Sequence, residues 1–169
     1  MADVIEIYIV RHGLAAERGE AWPDDTKRPL TSEGIARLRR EVQALQRLDV
    51  DFDLILSSPL VRARQTADLF AQGLPSTPQV VLTPVLAPGG RHAAIVDELS
   101  RHARRSRIAL VGHEPDLGIL AGRLIGAREP IALKKGAICR IDFDALPPAG
   151  PGHLRWLVTP RMLRMIGKK

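Results

Sequence analysis

Two histidines and two arginines stand where a chain could build a site for a phosphoryl group: Arg11-His12, Arg62 and His113. Guanidinium forks bind phosphate oxygens in pairs, which the point charge of a lysine does less specifically. A neutral imidazole attacks phosphorus well, holds the group covalently and leaves readily when water arrives. Such an imidazole must be unprotonated and aimed, so its other ring nitrogen needs an acceptor, most simply a backbone carbonyl in the loop after Gly13. Arg11, Arg62 and a protonated His113 would then neutralise the equatorial oxygens in the transition state. This chemistry requires no metal and no other cofactor.

The elements that must position these residues follow from periodicity. Val4 to Val10 reads as a buried strand that stops at Arg11-His12-Gly13. After a long loop, Ile35, Leu38, Val42, Leu45 and Leu48 recur at helical spacing behind Thr31 or Ser32 as N-cap. Asp53 to Ser57 is a second strand, and Ser58-Pro59 supplies an N-cap and first-turn proline for a helix that buries Leu60, Ala63, Ala67 and Phe70, with Arg62 in its first turn. Gln79 to Leu82 and Arg107 to Val111 read as further strands, and Arg91 to Ala103 as a helix facing inward through Ile95 and Leu99. Pro115 opens a helix burying Leu117, Leu120, Leu124 and Ile125, and Ala137 to Phe143 and His153 to Val158 are two last strands around a Pro- and Gly-rich turn. The alternation predicts a three-layer α/β/α sandwich with a largely parallel central sheet, a single domain over residues 1–169. Sites in such sheets lie beyond the strands' C-terminal ends, so Arg11-His12, Arg62 and His113 should meet.

At these residues the chain resembles the histidine phosphatase superfamily, whose signature is a strand running into Arg-His-Gly. The match is Ile9-Val10-Arg11-His12-Gly13, and it continues through Ser57-Ser58-Pro59 with Arg62 and Gln65-Thr66-Ala67, then Val111-Gly112-His113-Glu114-Pro115. The resemblance implies a phosphoglycerate mutase-like fold in which His12 takes the phosphoryl group, Arg11 and Arg62 hold it, and His113 completes the pocket. In length and in the stretch Asp25-Thr26-Lys27-Arg28-Pro29-Leu30-Thr31-Ser32-Glu33-Gly34 it is similar to the small SixA-type phosphohistidine phosphatases. Larger members carry a glutamate after the middle strand that protonates an alkoxide leaving group. The corresponding stretch here, Thr83 to Gly90, has no acid. An alkoxide leaves poorly without that help, whereas the imidazole of a phosphohistidine leaves neutral by carrying a proton on its other nitrogen.

The expectation is therefore a phosphohistidine phosphatase working through phospho-His12 on a phosphorelay or phosphotransfer protein, or on a small phosphorylated molecule. Gly13 joins Arg11, Arg62 and His113 as a substrate-binding candidate. Asp25, Arg28 and Glu114 are candidates for the rim, and Asp24, Asp25 or Glu114 could bring an acid from the loops, against a purely structural pairing of Asp25 with Arg28 or Arg62. A phosphomonoesterase and a non-catalytic anion- or nucleic-acid-binding module are the alternatives.

Composition narrows the classes further. With 169 residues, 45% hydrophobic and 26% charged, the chain has the balance of one globular core. No apolar run approaches the ~20 residues of a membrane span. Met1 to Glu6 lacks the plan of a signal peptide, so a cytoplasmic monomer is expected. A net charge of +6 suits an anionic partner, but 4% aromatic residues and scattered cations argue against nucleic acid. The basic clusters Arg101 to Arg107 and Arg161 to Lys169 read as solvated helix ends or a tail. Cys139 reads as a small core hydrophobe, Ser57 and Ser58 as caps and turn formers, and Lys134-Lys135-Gly136 as a strand-edge charge pair, with a place at the pocket mouth as the alternative. The loop from Ala15 to Lys27 is expected to move on binding.

Overall fold

The computed structural model describes residues 3–168. Met1, Ala2 and Lys169, the outermost positions of the leader and tail readings above, lie outside the described residues. Strands β1 (Ile5–Arg11), β2 (Leu54–Ser57), β3 (Gln79–Leu82), β4 (Arg107–Gly112), β5 (Ile138–Phe143) and β6 (His153–Val158) form one sheet in the order β3-β2-β4-β1-β5-β6. Helices α1 (Ser32–Arg47), α2 (Val61–Gly73), α3 (His92–Ser100), α4 (Asp116–Leu124) and α5 (Pro160–Ile166) cover it, with short 3-10 turns at Asp25–Lys27 and Pro84–Leu86.

β1 is buried on both faces, which is why its sequence is continuously apolar rather than alternating. Its Ile7 and Ile9 point into one core with Leu54, Leu110, Ile95, Leu99, Leu117 and Leu120, beneath α3 and α4. Tyr8 and Val10 point into the other with Leu38, Val42, Leu45, Phe70 and Leu163, beneath α1, α2 and α5. The two cores are the two faces of a three-layer sandwich. Cys139, fully buried, belongs to the first.

Parallel pairing of β1 with β4, β4 with β2 and β2 with β3 brings their C-terminal ends to one edge. β5 runs antiparallel to β1, and β6 antiparallel to β5, so the parallel reading holds for the first four strands and the hairpin after Ala137 departs from it. The connection over residues 144–152 is too short for the crossover that parallel neighbours need, so β5 and β6 pair antiparallel. The double reversal makes β6 run with β1, so Thr159, which follows β6, returns to the catalytic end of the sheet.

Several boundaries differ from expectation. α2 begins at Val61 with Leu60 as N-cap, not at Ser58-Pro59, because Ser58 is held as part of the sheet edge: its N–H donates to Val111 O at 2.9 Å. α4 begins at Asp116, with Pro115 in the cap position, and α3 ends at Ser100 in a run of turns. Of the two readings of the cluster from Arg161, a helix end or a tail, the helix is found: α5 is opened by Thr159, whose side chain accepts from Met162 N, with Pro160 in its first turn. Leu163, completely buried, anchors that helix on the sheet. Among the described residues, no helix is long and apolar enough to cross a membrane.

Candidate active site

The strand ends carry the predicted residues to one place. His12 follows β1, and its N–H donates to Gly112 O at 3.1 Å, tying it to the end of β4 just before His113. Arg62 lies in the first turn of α2, directly after β2. Arg11, His12, Arg28, Arg62, His113, Glu114 and Lys135 line one cavity of about 410 Å³, closed on the loop side by Ala15, Glu17 and Arg18. The rings of His12 and His113 are 5.2 Å apart between centroids.

His12 is only 5% exposed, and its Nδ1 lies 2.7 Å from the carbonyl of Gly13. The acceptor is thus Gly13 itself rather than a residue further along the loop. A carbonyl can only accept, so Nδ1 carries the hydrogen and the Nε2 lone pair is free. Burial lowers the pKa of His12 to about 3, and His113, Arg62 and Arg11 add to the shift against the opposing bond from Gly13. The ring is neutral at pH 7.

Gly13 is itself fixed. Its N–H donates to Thr66 Oγ1 at 3.1 Å, and the Thr66 hydroxyl donates to Arg62 O at 2.7 Å, joining the His12 turn to α2. A Cβ at position 13 would sit 2.6 Å from Leu38 Cδ1, so any larger residue would push the Leu38 side chain of α1 aside. Gln65, one residue before Thr66, accepts from Leu30 N at 2.8 Å. Sequence reasoning quoted Gln65 and Thr66 without assigning them work; a polar pair in the first turns of a helix beside a reactive turn was the available signal.

His113 departs from expectation in its charge. Burial first, then Arg62 and Arg11, lower its pKa to about 4, with Asp25 pulling the other way. It is neutral at pH 7 because burial disfavours its charged form and the guanidiniums of Arg62, Arg11 and Arg28 outweigh the one carboxylate. Its Nε2 lies 2.8 Å from Ser58 Oγ, which also accepts from Leu60 N at 3.2 Å. With one hydrogen and two lone pairs, Oγ can bond Nε2 in either tautomer while accepting from Leu60 N, and Nδ1 is buried with no partner among the described residues. Ser58 is therefore more than a turn former: its hydroxyl holds the His113 ring in place.

Arg62 donates through Nη1 to Asp25 O at 2.8 Å and through Nη2 to Asp25 Oδ2 at 3.0 Å, while its Nε has no partner among the described residues. Arg28 donates through Nε to Asp25 Oδ1 at 3.1 Å and through Nη1 to Ala16 O at 2.6 Å. Asp25 therefore pairs with both arginines rather than one. Burial raises its pKa, but Arg62 and Arg28 overcome this and hold the carboxyl below its usual range, so it stays ionised. Asp25 and Gly13 do not line the cavity, and Asp24 caps the 3-10 turn through Thr26. Arg11 donates to Leu133 O at 2.8 Å, and burial works against its charge while Glu114 supports it.

Glu114 is the carboxyl group that reaches the cavity close to the imidazoles. Burial raises its pKa, Arg11 and the backbone of Leu133 and Gly118 pull it back, and its Oε1 has no partner among the described residues. Lys134 and Lys135 are not a strand-edge pair: they lie in the turn before β5, and Lys135 lines the cavity because that turn folds back over Arg11. Among the described residues, no group of three or more His, Cys, Asp or Glu is arranged to hold a metal ion.

Comparison with known proteins agrees with this geometry. Residues 7–87 match the family model of the histidine phosphatase superfamily, branch 1. An uncharacterized protein of Picosynechococcus sp. is 44% identical over 117 residues, 68% of this chain and 69% of its own. Phosphohistidine phosphatase SixA of Escherichia coli K12 is 29% identical over 166 residues, 95% of this chain and 98% of its own. The structure of a protein histidine phosphatase SixA complexed with tungstate superposes with a TM-score of 0.82 at 26% identity, covering 93% of this chain and 98% of that one. The mutase-like sandwich implied by the sequence is the fold observed. With this fold, these strand-end motifs and these relatives, the chain belongs to the histidine phosphatase superfamily and is a phosphatase that uses a histidine nucleophile.

Proposed function

We propose that the protein hydrolyses N-phosphohistidine on another protein, through a covalent phosphoryl group on His12. The observation that carries this reading is the bond between His12 Nδ1 and Gly13 O, which leaves a neutral Nε2 facing a cavity lined by guanidiniums. In the first step Nε2 bonds to phosphorus, the P–N bond of the substrate breaks, and the substrate imidazole leaves neutral, keeping the hydrogen on its other nitrogen. In the second step the oxygen of a water bonds to phosphorus as the Nε2–P bond breaks, the hydrogens of the water leave on the inorganic phosphate, and His12 is again neutral with its hydrogen on Nδ1. Arg11, the Nε of Arg62 and His113 Nδ1–H would hold the equatorial oxygens, where electrostatic stabilisation has its largest effect. On this reading the whole chain acts as one domain, in the cytoplasm, on a phosphorelay or phosphotransfer protein.

A second reading has its own observation. Glu114 brings a carboxyl of raised pKa into the cavity, which could protonate an alkoxide and so support turnover of phosphate esters. Rates on a phosphohistidine protein and phosphoramidate, set against a panel of phosphate monoesters in EDTA, separate the two. The phosphohistidine reading expects preference for the P–N bond, loss of all turnover in His12→Ala, and little change in Glu114→Gln. Ester turnover that equals the P–N rate and collapses in Glu114→Gln would replace it with the phosphomonoesterase. Turnover retained by His12→Ala would sink both.

A further inference from the structure

A second cavity, larger than the first at about 520 Å³, lies between α1, α5 and the turn before β5. It shares Arg11, Leu14 and Lys135 with the catalytic cavity, so the two are neighbours across a common wall. Thr159, Pro160 and Arg161 reach it because β6 runs with β1 and delivers the start of α5 to the catalytic end of the sheet.

The walls are cationic. Arg37, Lys134, Lys135, Arg161 and Arg164 line the cavity with Arg11. Arg37 is paired with Glu33, but Lys134, Lys135 and Arg161 are exposed and pair with no acid among the described residues. The floor holds one carboxyl group, Glu41, only 1% exposed. Its Oε1 is 3.6 Å from Arg164 Nη1, beyond ordinary hydrogen-bond length, and its Oε2 has no partner among the described residues. Burial pushes the Glu41 carboxyl up to about 8, against the pull of Arg164 and Arg37, so near pH 7 it is largely neutral and cancels little of the surrounding charge.

The floor also touches the catalytic backbone. Gly136, at φ 86°, donates its N–H to both Arg11 O and His12 O at 3.1 Å, and a Cβ there would come within 2.9 Å of Glu41 Oε1. An anion seated in this cavity would therefore lie beside the strand end that carries the proposed nucleophile. Because the unpaired cations are exposed rather than sunk in the cavity, they are placed to meet acids carried on a protein surface.

We propose that this cavity is an anion-accepting subsite for a second acidic group of the substrate, an Asp or Glu carboxylate presented by the protein that bears the phosphohistidine. The proposal rests on the function proposed above and adds to it a rule for choosing among phosphohistidine proteins. Complementary charge of this kind acts on encounter and partner choice, and is weakened by salt.

The test uses two phosphohistidine peptides, one with glutamates flanking the phosphohistidine and one with glutamines, together with phosphoramidate and a small bisphosphate ester. In the double variant Lys134→Glu, Arg161→Glu, the KM for the glutamate peptide should rise about tenfold or more, with kcat held and the effect shrinking at high salt. The glutamine peptide and phosphoramidate should change by less than about twofold, which also certifies folding. Equal loss on both peptides, or none on either, overturns the subsite. A KM loss on the bisphosphate and not on the glutamate peptide overturns the protein carboxylate as its occupant. Binding of the unphosphorylated glutamate peptide to His12→Ala, with and without the two reversals, separates failure of the subsite from failure of the function. If binding weakens with the reversals but the phosphohistidine peptides are not turned over, the subsite stands and the phosphohistidine reading falls. If binding ignores them, the subsite falls whatever the turnover.

Discussion

His12 depends for its reactivity on a neighbour that never touches a substrate. Thr66 holds the N–H of Gly13, whose carbonyl in turn holds Nδ1 of His12, so one hydroxyl on α2 fixes the tautomer of a ring on β1. Thr66→Val keeps the shape and removes the acceptor, leaving a buried N–H unpaired at a cost of about 1–3 kcal/mol. We expect a lowered Tm and a kcat reduced by about 10-fold to 100-fold at unchanged folded content, since a misaimed nucleophile loses rate steeply. Wild-type kcat in that variant would show that Gly13 needs no help from Thr66. At this scale the sequence was generous for His12, Arg11, Arg62 and His113, whose types announce their chemistry. It was silent on Ser58 and Thr66, because a hydroxyl that bonds a ring and a hydroxyl that caps a turn have the same local signature.

The elements were legible where periodicity is strong and ambiguous where a tertiary contact competes with it. β1 and α1 stand as their patterns require, and Thr31 caps α1 by accepting from Gly34 N at 2.9 Å. The start of α2 was misread because Ser58-Pro59 is a good opening in isolation, yet the bond of Ser58 to β4 holds it in the sheet edge. α5 is legible only as a helix end or a tail, because a short helix rich in Arg and Met offers little apolar stripe beyond Leu163. The loop over residues 15–27 is tethered at three points: Ala15 bridges Leu30, Ala16 N donates to Pro29 O, and Asp25 holds Arg62. Between the tethers, Glu17 and Arg18 face the catalytic cavity. Tungstate, a phosphate analogue, should raise amide protection over residues 17–24 and leave α1 unchanged. Equal protection with and without it would mean that the segment is already in its working position.

Across the whole molecule, burial sets opposing pH dependences at the two cavities. His12 and His113, with pKa lowered to about 3 and about 4, stay neutral when folded but take protons when unfolded, so their contribution to stability is complete above about 6.5 and is lost progressively as pH falls towards those values. Glu41, raised to about 8, contributes the reverse: its term is complete below about 4.5 and is lost as pH rises through 8. Imidazole resonances followed by NMR should therefore show two of the five histidines without titration between pH 5 and pH 8. Titration of both near 6.5 would place these rings in water rather than in the core. Glu41→Gln should raise Tm relative to wild type at pH 8.5 more than at pH 5; an equal shift at both would mean that the carboxyl ionises freely.

The grip of Asp25 on Arg62 has a consequence for how the reaction ends. Each terminal nitrogen of that guanidinium already gives one hydrogen to the loop, leaving Nε and the second hydrogen of each for a visitor. The carboxylate is thus a built-in rival of the phosphate ion, and it weakens the hold on the finished product as much as on the incoming group. Inorganic phosphate should inhibit weakly, while Asp25→Asn, which removes the rival's charge, should lower its inhibition constant about tenfold. An unchanged constant would mean that Arg62 takes no part in retaining the product, and that turnover is not being kept brisk by competition from within.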